Sequence, residues 1–218
     1  CGPAPCIDLL AAGRSVVVDA YGFDWEYDDG EVDADVTSAI GPWTGAASVD
    51  LVDWWSIPVG SGDATQESVV TDSGIELTCA VSASVPGNHF HESVFSDATL
   101  DVTFAVAERV RFDASVDAQL SLELFDATTV LAGPTSNVFY VSTSQNLTAS
   151  GDAVGWLQAG TYTLSADVGV AAGSNQSGPD AHSGSLDTSL RFYAVADFDL
   201  DGDVDAADAA AFDLAWLD

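Results

Sequence analysis

The sequence predicts a mainly β protein, an antiparallel β-sandwich followed by a short C-terminal loop and helix. From residue 14 to residue 196 apolar and polar residues alternate with a period of two, the pattern of half-buried strands. Turn-forming Gly, Asn, Asp and Ser interrupt the pattern at short intervals. The chain has 218 residues, of which 47% are hydrophobic, so it can bury one substantial core. We expect three regions: residues 1–13 as an N-terminal Cys/Pro segment, 14–196 as the sandwich and 197–218 as the appended loop and helix.

The clearest strand is predicted at residues 100–112, where Leu100, Val102, Phe104 and Val106 share one face. Residues 115–126 repeat the alternation, with Val116, Ala118, Leu120, Leu122 and Leu124 in register. Residues 137–144, 160–170 and 189–197 follow the same pattern, which indicates about eight to ten strands in all. This succession resembles the jelly-roll and related sandwich domains of secreted bacterial proteins, a likeness of architecture that implies no chemistry.

The charge balance excludes one class of partner. The chain has 35 acidic residues and only four basic ones, all arginine, for a net charge of -31. Such a chain repels phosphate, so we expect no nucleic acid partner. The acidic groups also repel each other unless cations or salt screen them, which predicts calcium binding, a saline habitat or both. Solubility alone is the alternative explanation.

Several features predict a secreted protein of the extracellular space or the cell surface. The sequence has no methionine, as expected of a mature chain that begins after a removed signal peptide. No apolar stretch approaches the roughly 20 residues that a membrane-spanning helix requires. Asn146 and Asn175 begin two N-glycosylation tripeptides, which makes glycosylation an open expectation.

The cysteine count is odd. Cys1 and Cys6 frame a proline-containing segment, and Cys79 lies in an apolar, alternating stretch. An oxidising compartment favours one disulfide and one free thiol. A Cys1–Cys6 bridge, a bridge from either residue to Cys79 and a bridge between subunits all stay open.

The most specific motif is an EF-hand-type loop of twelve residues, which begins at Asp197 and ends at Asp208. Calcium prefers six to eight oxygen ligands, which such a loop supplies at fixed positions. Gly202 stands at position 6, where the chain turns sharply with positive φ, and Val204 at position 8 is expected to point into a neighbouring core. The predicted calcium ligands are Asp197, Asp199, Asp201, Asp203, Asp205 and Asp208.

The segment from Asp197 to about Leu217 resembles a type I dockerin repeat. The resemblance implies calcium as the cofactor and a cohesin-like domain as partner. Dockerins normally carry two such repeats, whereas this sequence has one, with Ala206 and Ala207 where cohesin-contacting polar residues commonly lie. The residues after the loop favour a helix, with Phe212 and Trp216 on one face. That face requires an apolar surface, either on the sandwich of the same chain or on another molecule.

A second cation site is a hypothesis at the acidic hairpin Asp24 to Asp35. Asp29-Gly30 is a strong signal for a two-residue hairpin loop. That loop would place Asp28 opposite Glu31, Glu26 opposite Asp33 and Asp24 opposite Asp35. Like charges in such pairs destabilise the hairpin unless a cation such as calcium binds them. A solvated acidic face is the alternative.

No catalytic motif stands out. His89 and His91 are expected on one face of a strand with Glu92 on the other, and His182 lies in a Gly/Ser-rich loop. Six tryptophans, including Trp54 and Trp55, suit either sugar stacking or core packing. The sequence therefore predicts a non-enzymatic, calcium-binding structural protein of the extracellular space that self-associates into a filament or surface layer in a calcium-dependent way. The alternative is a cohesin-docking or carbohydrate-binding module of a larger extracellular system.

Overall fold

The computed structural model describes residues 7–24, 27–53, 55–87, 91–122, 125–143, 147–174, 178–194 and 206–208, without the side chains of residues 23, 24 and 27–29. The predicted mainly β fold is confirmed, with twelve strands in the described residues, more than the sequence indicated. The strands are β1 (Ile7–Asp24), β2 (Tyr27–Thr37), β3 (Gly41–Val52), β4 (Pro58–Thr71), β5 (Gly74–Val85), β6 (His91–Val106), β7 (Val110–Leu120), β8 (Ala127–Ala132), β9 (Asn137–Ser142), β10 (Thr148–Leu157), β11 (Gly160–Ser174) and β12 (Asp180–Tyr193).

The strands form two antiparallel sheets of six strands each. Sheet A has the order β2-β1-β6-β11-β8-β9, and sheet B has the order β10-β7-β12-β5-β4-β3. The sheets pack face to face, with β2 against β3 at one lateral edge and β9 against β10 at the other. Each edge of the sandwich is therefore built by one edge strand from each sheet.

The core lies between the sheets. The side chains predicted to share one face of β6, from Leu100 to Val106, are all buried, as are Val116, Ala118 and Leu120 of β7. Phe104 connects the two layers because its ring lies 5.7 Å from the ring of Tyr162 in sheet A and 5.0 Å from that of Phe192 in sheet B. Burial of each such apolar side chain stabilises the fold by roughly 1.5–3 kcal/mol.

Strand β1 begins at Ile7 and so extends the sandwich into residues that the sequence assigned to the N-terminal segment. Ile7 and Ala12 are buried, and this half of the strand pairs with β6. The pairing shifts register between Leu9 and Ala11, so the simple alternation is broken there. Because of that break, residues 7–13 do not show the period-two pattern by which a strand is predicted.

The predicted register of the acidic hairpin is wrong. Asp24 pairs with Tyr27, which places Glu31 opposite Ala20, Asp33 opposite Val18 and Asp35 opposite Val16. The buried alternation of Val16, Val18 and Ala20 fixes the register of β1. The pairing of β1 with β6 ends at Phe23, opposite His91, so β1 ends before the expected turn at Asp29-Gly30, and these two residues lie in β2. Three acidic residues thus lie along one strand instead of facing each other across two.

One glycine allows the sheets to approach closely. Gly62 of β4 lies on the inner face, where an added Cβ would lie 2.7 Å from both Ser96 Oγ and Val18 Cγ1. Only glycine fits this contact between the two sheets. Within the part of the chain described here, no helix has the length and apolar character needed to span a membrane.

Candidate functional site

The predicted calcium ligands Asp197, Asp199, Asp201, Asp203 and Asp205 lie outside the described residues. Asp208 is described, is helical together with Ala206 and Ala207, and has only 3% of its surface exposed. Within the described ranges, no group of three or more His, Cys, Asp or Glu side chains is arranged to hold a metal ion.

The histidines predicted near a carboxylate do not converge with it. His91 is exposed at the start of β6, whereas Glu92 points into the opposite, buried side. The Glu92 carboxylate accepts a 2.6 Å hydrogen bond from the backbone N–H of Gly87. His182 lies 2.8 Å from Asp180 and packs edge-on against Phe125. His89 lies outside the described residues. These contacts assign structural roles to Glu92 and His182.

Cys79 is a free thiol buried in the core of sheet B. This finding contradicts the alternatives in which Cys1 or Cys6 forms a disulfide with Cys79. Burial, followed by the charges of Asp187, Asp97 and Asp167, raises the pKa of Cys79 to about 12. The thiol stays protonated at neutral pH and is a poor nucleophile. Cys1 and Cys6 themselves lie outside the described residues.

A groove of about 470 Å³ crosses the outer face of sheet B. Strand register forms it from two rows of polar side chains: Asp187 lies opposite Asp117, and Ser189 lies opposite Ser115. Strand β10 adds Ser150 and Asp152 beside these rows, and β5 adds Glu76 and Thr78. Hydroxyls and carboxylates in this arrangement can accept and donate hydrogen bonds to a polyhydroxylated ligand.

One end of this face carries a cluster that we call the arginine end, formed by Arg109, Arg111, Arg191, Trp156 and Tyr193. Arg111 of β7 lies between Trp156 of β10 and Tyr193 of β12. The Arg109 guanidinium stacks 4.2 Å from the Trp156 ring centroid, a cation–π contact. Arg191 lies in the next row and forms an exposed 3.1 Å ion pair with Glu76. The chain's only other positive side chain, Arg14, is buried, so every exposed Arg or Lys of the chain lies here.

Arg14 points into the space between the sheets from β1, with 1% of its surface exposed. Its Nη2 donates a 2.7 Å hydrogen bond to the carbonyl of Gly41, while Nε and Nη1 have no hydrogen-bond partner among the residues that the structure describes. Burial lowers the pKa of Arg14. Gln66 is buried on β4, and its amide nitrogen donates to the carbonyls of Thr99 (2.9 Å) and Ser15 (3.3 Å). The sandwich interior therefore contains a polar layer beside its apolar core.

The outer face of sheet A carries a pair of interacting carboxyl groups on adjacent strands, Asp97 of β6 and Asp167 of β11. Burial, then the charge of Asp167 and a hydrogen bond with it, raises the pKa of Asp97 to about 7. Burial also raises the pKa of Asp167, and the charges of Asp126 and Asp101 add to this effect. The pair can hold one shared proton near neutral pH.

Comparisons with known proteins identify no family. No protein-family model matches the sequence, and no curated protein matches it. A similar solved structure is titled "Structure of infectious bursal disease virus Gx strain", with 12% identity and a TM-score of 0.15. The match covers 89% of this chain and 63% of that chain. Similarity at this level carries no argument about fold or function.

Proposed function

We propose that this protein is a non-catalytic, calcium-binding structural protein of the extracellular space whose copies self-associate into a filament or surface layer. The observation that carries the proposal is the Asp197–Asp208 pattern, which sets six aspartates and one glycine at the positions of a calcium loop.

The charge distribution explains why calcium would promote association. Both outer faces of the sandwich carry carboxylates, among them Asp97 and Asp167 on sheet A and Asp117 and Asp187 on sheet B. With a net charge of -31, two copies repel each other at short range. A bound divalent cation lowers that repulsion, so calcium would favour association as well as order the loop.

The strand orders support a jelly-roll description of the sandwich. A jelly roll arranges eight strands as two packed four-stranded sheets made of Greek keys. The orders β2-β1-β6-β11 and β10-β7-β12-β5 match the two sheets of a jelly roll if its eight strands are counted from β2 onwards and β1 is counted last, after β12. The hairpins β3-β4 and β8-β9 would then be additions at the two ends.

A structural role also accounts for the residues that an enzyme would use. The thiol of Cys79 is buried, and Glu92 is bound to the backbone of Gly87. The Asp117–Asp187 row lies on an open face and not in an enclosed cleft of the kind that shifts catalytic groups out of water.

The proposed function is tested by measuring how the assembly state of the protein changes with calcium concentration. Purified protein is followed by light scattering and negative-stain microscopy while calcium and then chelator are added at fixed ionic strength. We expect reversible growth into ordered assemblies. A protein that only becomes more heat-stable with calcium would reduce the ion to a stabiliser of the fold and contradict the assembly role.

A carbohydrate-binding module is the second candidate function, and the groove of sheet B supports it. Trp156 lies on the same outer face of β10, two outward positions beyond the groove residue Asp152, and its ring is the type of surface on which sugars stack. Titration calorimetry with soluble oligosaccharides separates the two candidates. This second function would be favoured if the calcium-loaded protein is a monomer that binds a glycan and if the Trp156→Ala variant does not bind it.

The remaining alternative is docking onto a cohesin-like domain. Binding to a purified cohesin tests it.

A further inference from the structure

We infer that the arginine end is one half of a head-to-tail contact between copies of this chain, and that it receives the acidic edge of a second copy. The acidic edge is formed by Glu31, Asp33 and Asp35 of strand β2. The inference rests on the proposed self-association and adds to it the two surfaces that meet.

Charge complementarity selects a second copy as the occupant. The three Arg residues that are not buried in a chain with 35 acidic residues all lie at the arginine end: Arg109 and Arg191 are exposed, Arg111 is half-buried, and the chain has no Lys. Another copy therefore offers this surface an abundance of carboxylates. Complementary potentials of this kind orient two molecules before they touch and fix which surfaces meet.

The arginine end also has the apolar content of a contact surface. Trp156 is 41% exposed and Val154, next to it on the same face, is 60% exposed. The Arg109 guanidinium lies over the Trp156 ring, and this cation–π contact helps to hold it in place before any partner arrives. Tryptophan and arginine are the residues that most often contribute large shares of binding energy in interfaces.

The acidic edge provides the complementary surface. Glu31, Asp33 and Asp35 alternate along β2, so their carboxylates lie on one side of this edge strand. Asp33 accepts a 2.8 Å hydrogen bond from the backbone N–H of Ser48 on β3, which anchors the strand to the edge of sheet B. Glu31 is exposed and Asp35 is half-buried, so both stay accessible to a partner.

The topology places the two surfaces on opposite sides of the molecule. Strand β10, which carries Trp156, is one edge of sheet B, while β2 packs against β3 at the other edge. Contact between two different surfaces of the same chain is heterologous, and it continues from copy to copy. When the rotation between copies does not close a ring, the product is a filament.

The experiment compares two variants with the same charge change. Arg109→Gln with Arg111→Gln removes two positive charges from the arginine end. Ala80→Asp with Ala181→Asp adds two negative charges at exposed positions on β5 and at the start of β12, away from both surfaces. Sedimentation velocity at fixed calcium and ionic strength gives the critical concentration for assembly of each. We expect the arginine variant to raise it by about tenfold or more and the control to change it far less.

A second experiment reverses the charge of one surface in each of two variants. Arg109→Glu with Arg111→Glu makes both surfaces of one variant acidic, and Glu31→Arg with Asp35→Arg makes both surfaces of a second variant basic. Asp33 is retained because it binds Ser48. We expect each variant alone to stay unassembled and their equimolar mixture to assemble, since every contact in an alternating chain is again complementary. Circular dichroism of each variant establishes that it is folded.

The outcomes separate this inference from the function on which it rests. Wild-type protein that assembles while the arginine variant assembles equally well would overturn the contact but leave calcium-dependent assembly standing. Wild-type protein that stays monomeric with calcium would overturn both. A monomer that binds an oligosaccharide through Trp156 would assign the arginine end to a glycan. Assembly of the mixture alone supports the head-to-tail contact.

Discussion

Arg14 is an unusual residue to find in the interior of so acidic a protein. Its guanidinium is 1% exposed and makes one hydrogen bond, to Gly41. No described carboxylate pairs with it, so the charge is withdrawn from water with little in return. Burial accordingly lowers the pKa of Arg14.

We expect Arg14→Met to raise the free energy of unfolding by about 1–2 kcal/mol, because the side chain keeps its volume and loses a poorly compensated charge. That gain corresponds to an increase in Tm of about 2–8 °C for a chain of this size. Differential scanning calorimetry measures it. The control is Arg14→Lys, which keeps the charge and should not stabilise the protein. A lower Tm for Arg14→Met would show that Arg14 has a stabilising partner.

The carboxyl pair on sheet A predicts a pH dependence of stability. The folded-state pKa of Asp97 is about 7, above its ordinary 3.8, so between these values the folded protein holds a proton that the unfolded chain has released. The stability that this proton provides is present at the acidic end of the window and is lost as pH rises towards 7. We expect Asp97→Asn to remove this dependence and to stabilise the protein at pH 8 by about 1 kcal/mol, allowing for solvent screening.

Urea unfolding of the wild type, Asp97→Asn, Asp167→Asn and the double variant, at pH 5 and pH 8, tests the pair. These four proteins form a double-mutant cycle. The cycle measures the interaction between Asp97 and Asp167 because each single variant removes one of the two carboxyl groups and the double variant removes both. A wild-type pH profile identical to that of Asp97→Asn would contradict the raised pKa.

Individual strands differ in how fully the sequence specifies them. In β6 and β7 the alternation is unbroken, and the predicted inner residues from Leu100 to Leu120 are buried. In β1 a register shift interrupts the alternation near Leu9, and the strand start was placed seven residues late as a result. The hairpin turn was misplaced because the Asp29-Gly30 signal is local, whereas pairing with β6 sets the length of β1.

Gly62 lies where the distance between the sheets leaves no room for a side chain. A Cβ there would lie 2.7 Å from Val18 Cγ1, so we expect Gly62→Ala to lower the free energy of unfolding by about 1–3 kcal/mol. The matched control is Gly13→Ala on β1, where an added Cβ has no heavy atom within 4 Å. That variant should be neutral or slightly stabilising. Chemical denaturation of both variants measures the difference, and equal stabilities would contradict the close approach.

The calcium loop and the arginine end differ in how far the sequence alone predicts them. The proposed calcium loop is local in sequence, so its ligands, Asp197 to Asp208, are predicted from their spacing alone. The arginine end draws Arg109, Arg111, Trp156 and Arg191 from three strands and a loop, and only the order β10-β7-β12 brings them together. No spacing rule connects residues more than 80 positions apart.

Removal of calcium ligands should uncouple assembly from folding. We expect Asp199→Asn with Asp201→Asn to lower calcium affinity by at least about tenfold, since each carboxylate is a direct oxygen ligand in this loop type. The sandwich should stay folded because the core residues of the described part all lie in strands β1 to β12. Asp117→Asn with Asp152→Asn, on the groove of sheet B, gives the same charge change as a control. Calorimetric titration with calcium compares the two, and equal affinities would contradict the assigned ligands.

Light scattering during a calcium titration at constant ionic strength tests whether this protein self-associates in a calcium-dependent way. Constant ionic strength separates specific binding from general screening of the net charge of -31. Scattering that rises with calcium, falls again with chelator and corresponds to ordered assemblies in negative stain is the result we expect. Scattering that stays at the monomer value at saturating calcium would contradict it.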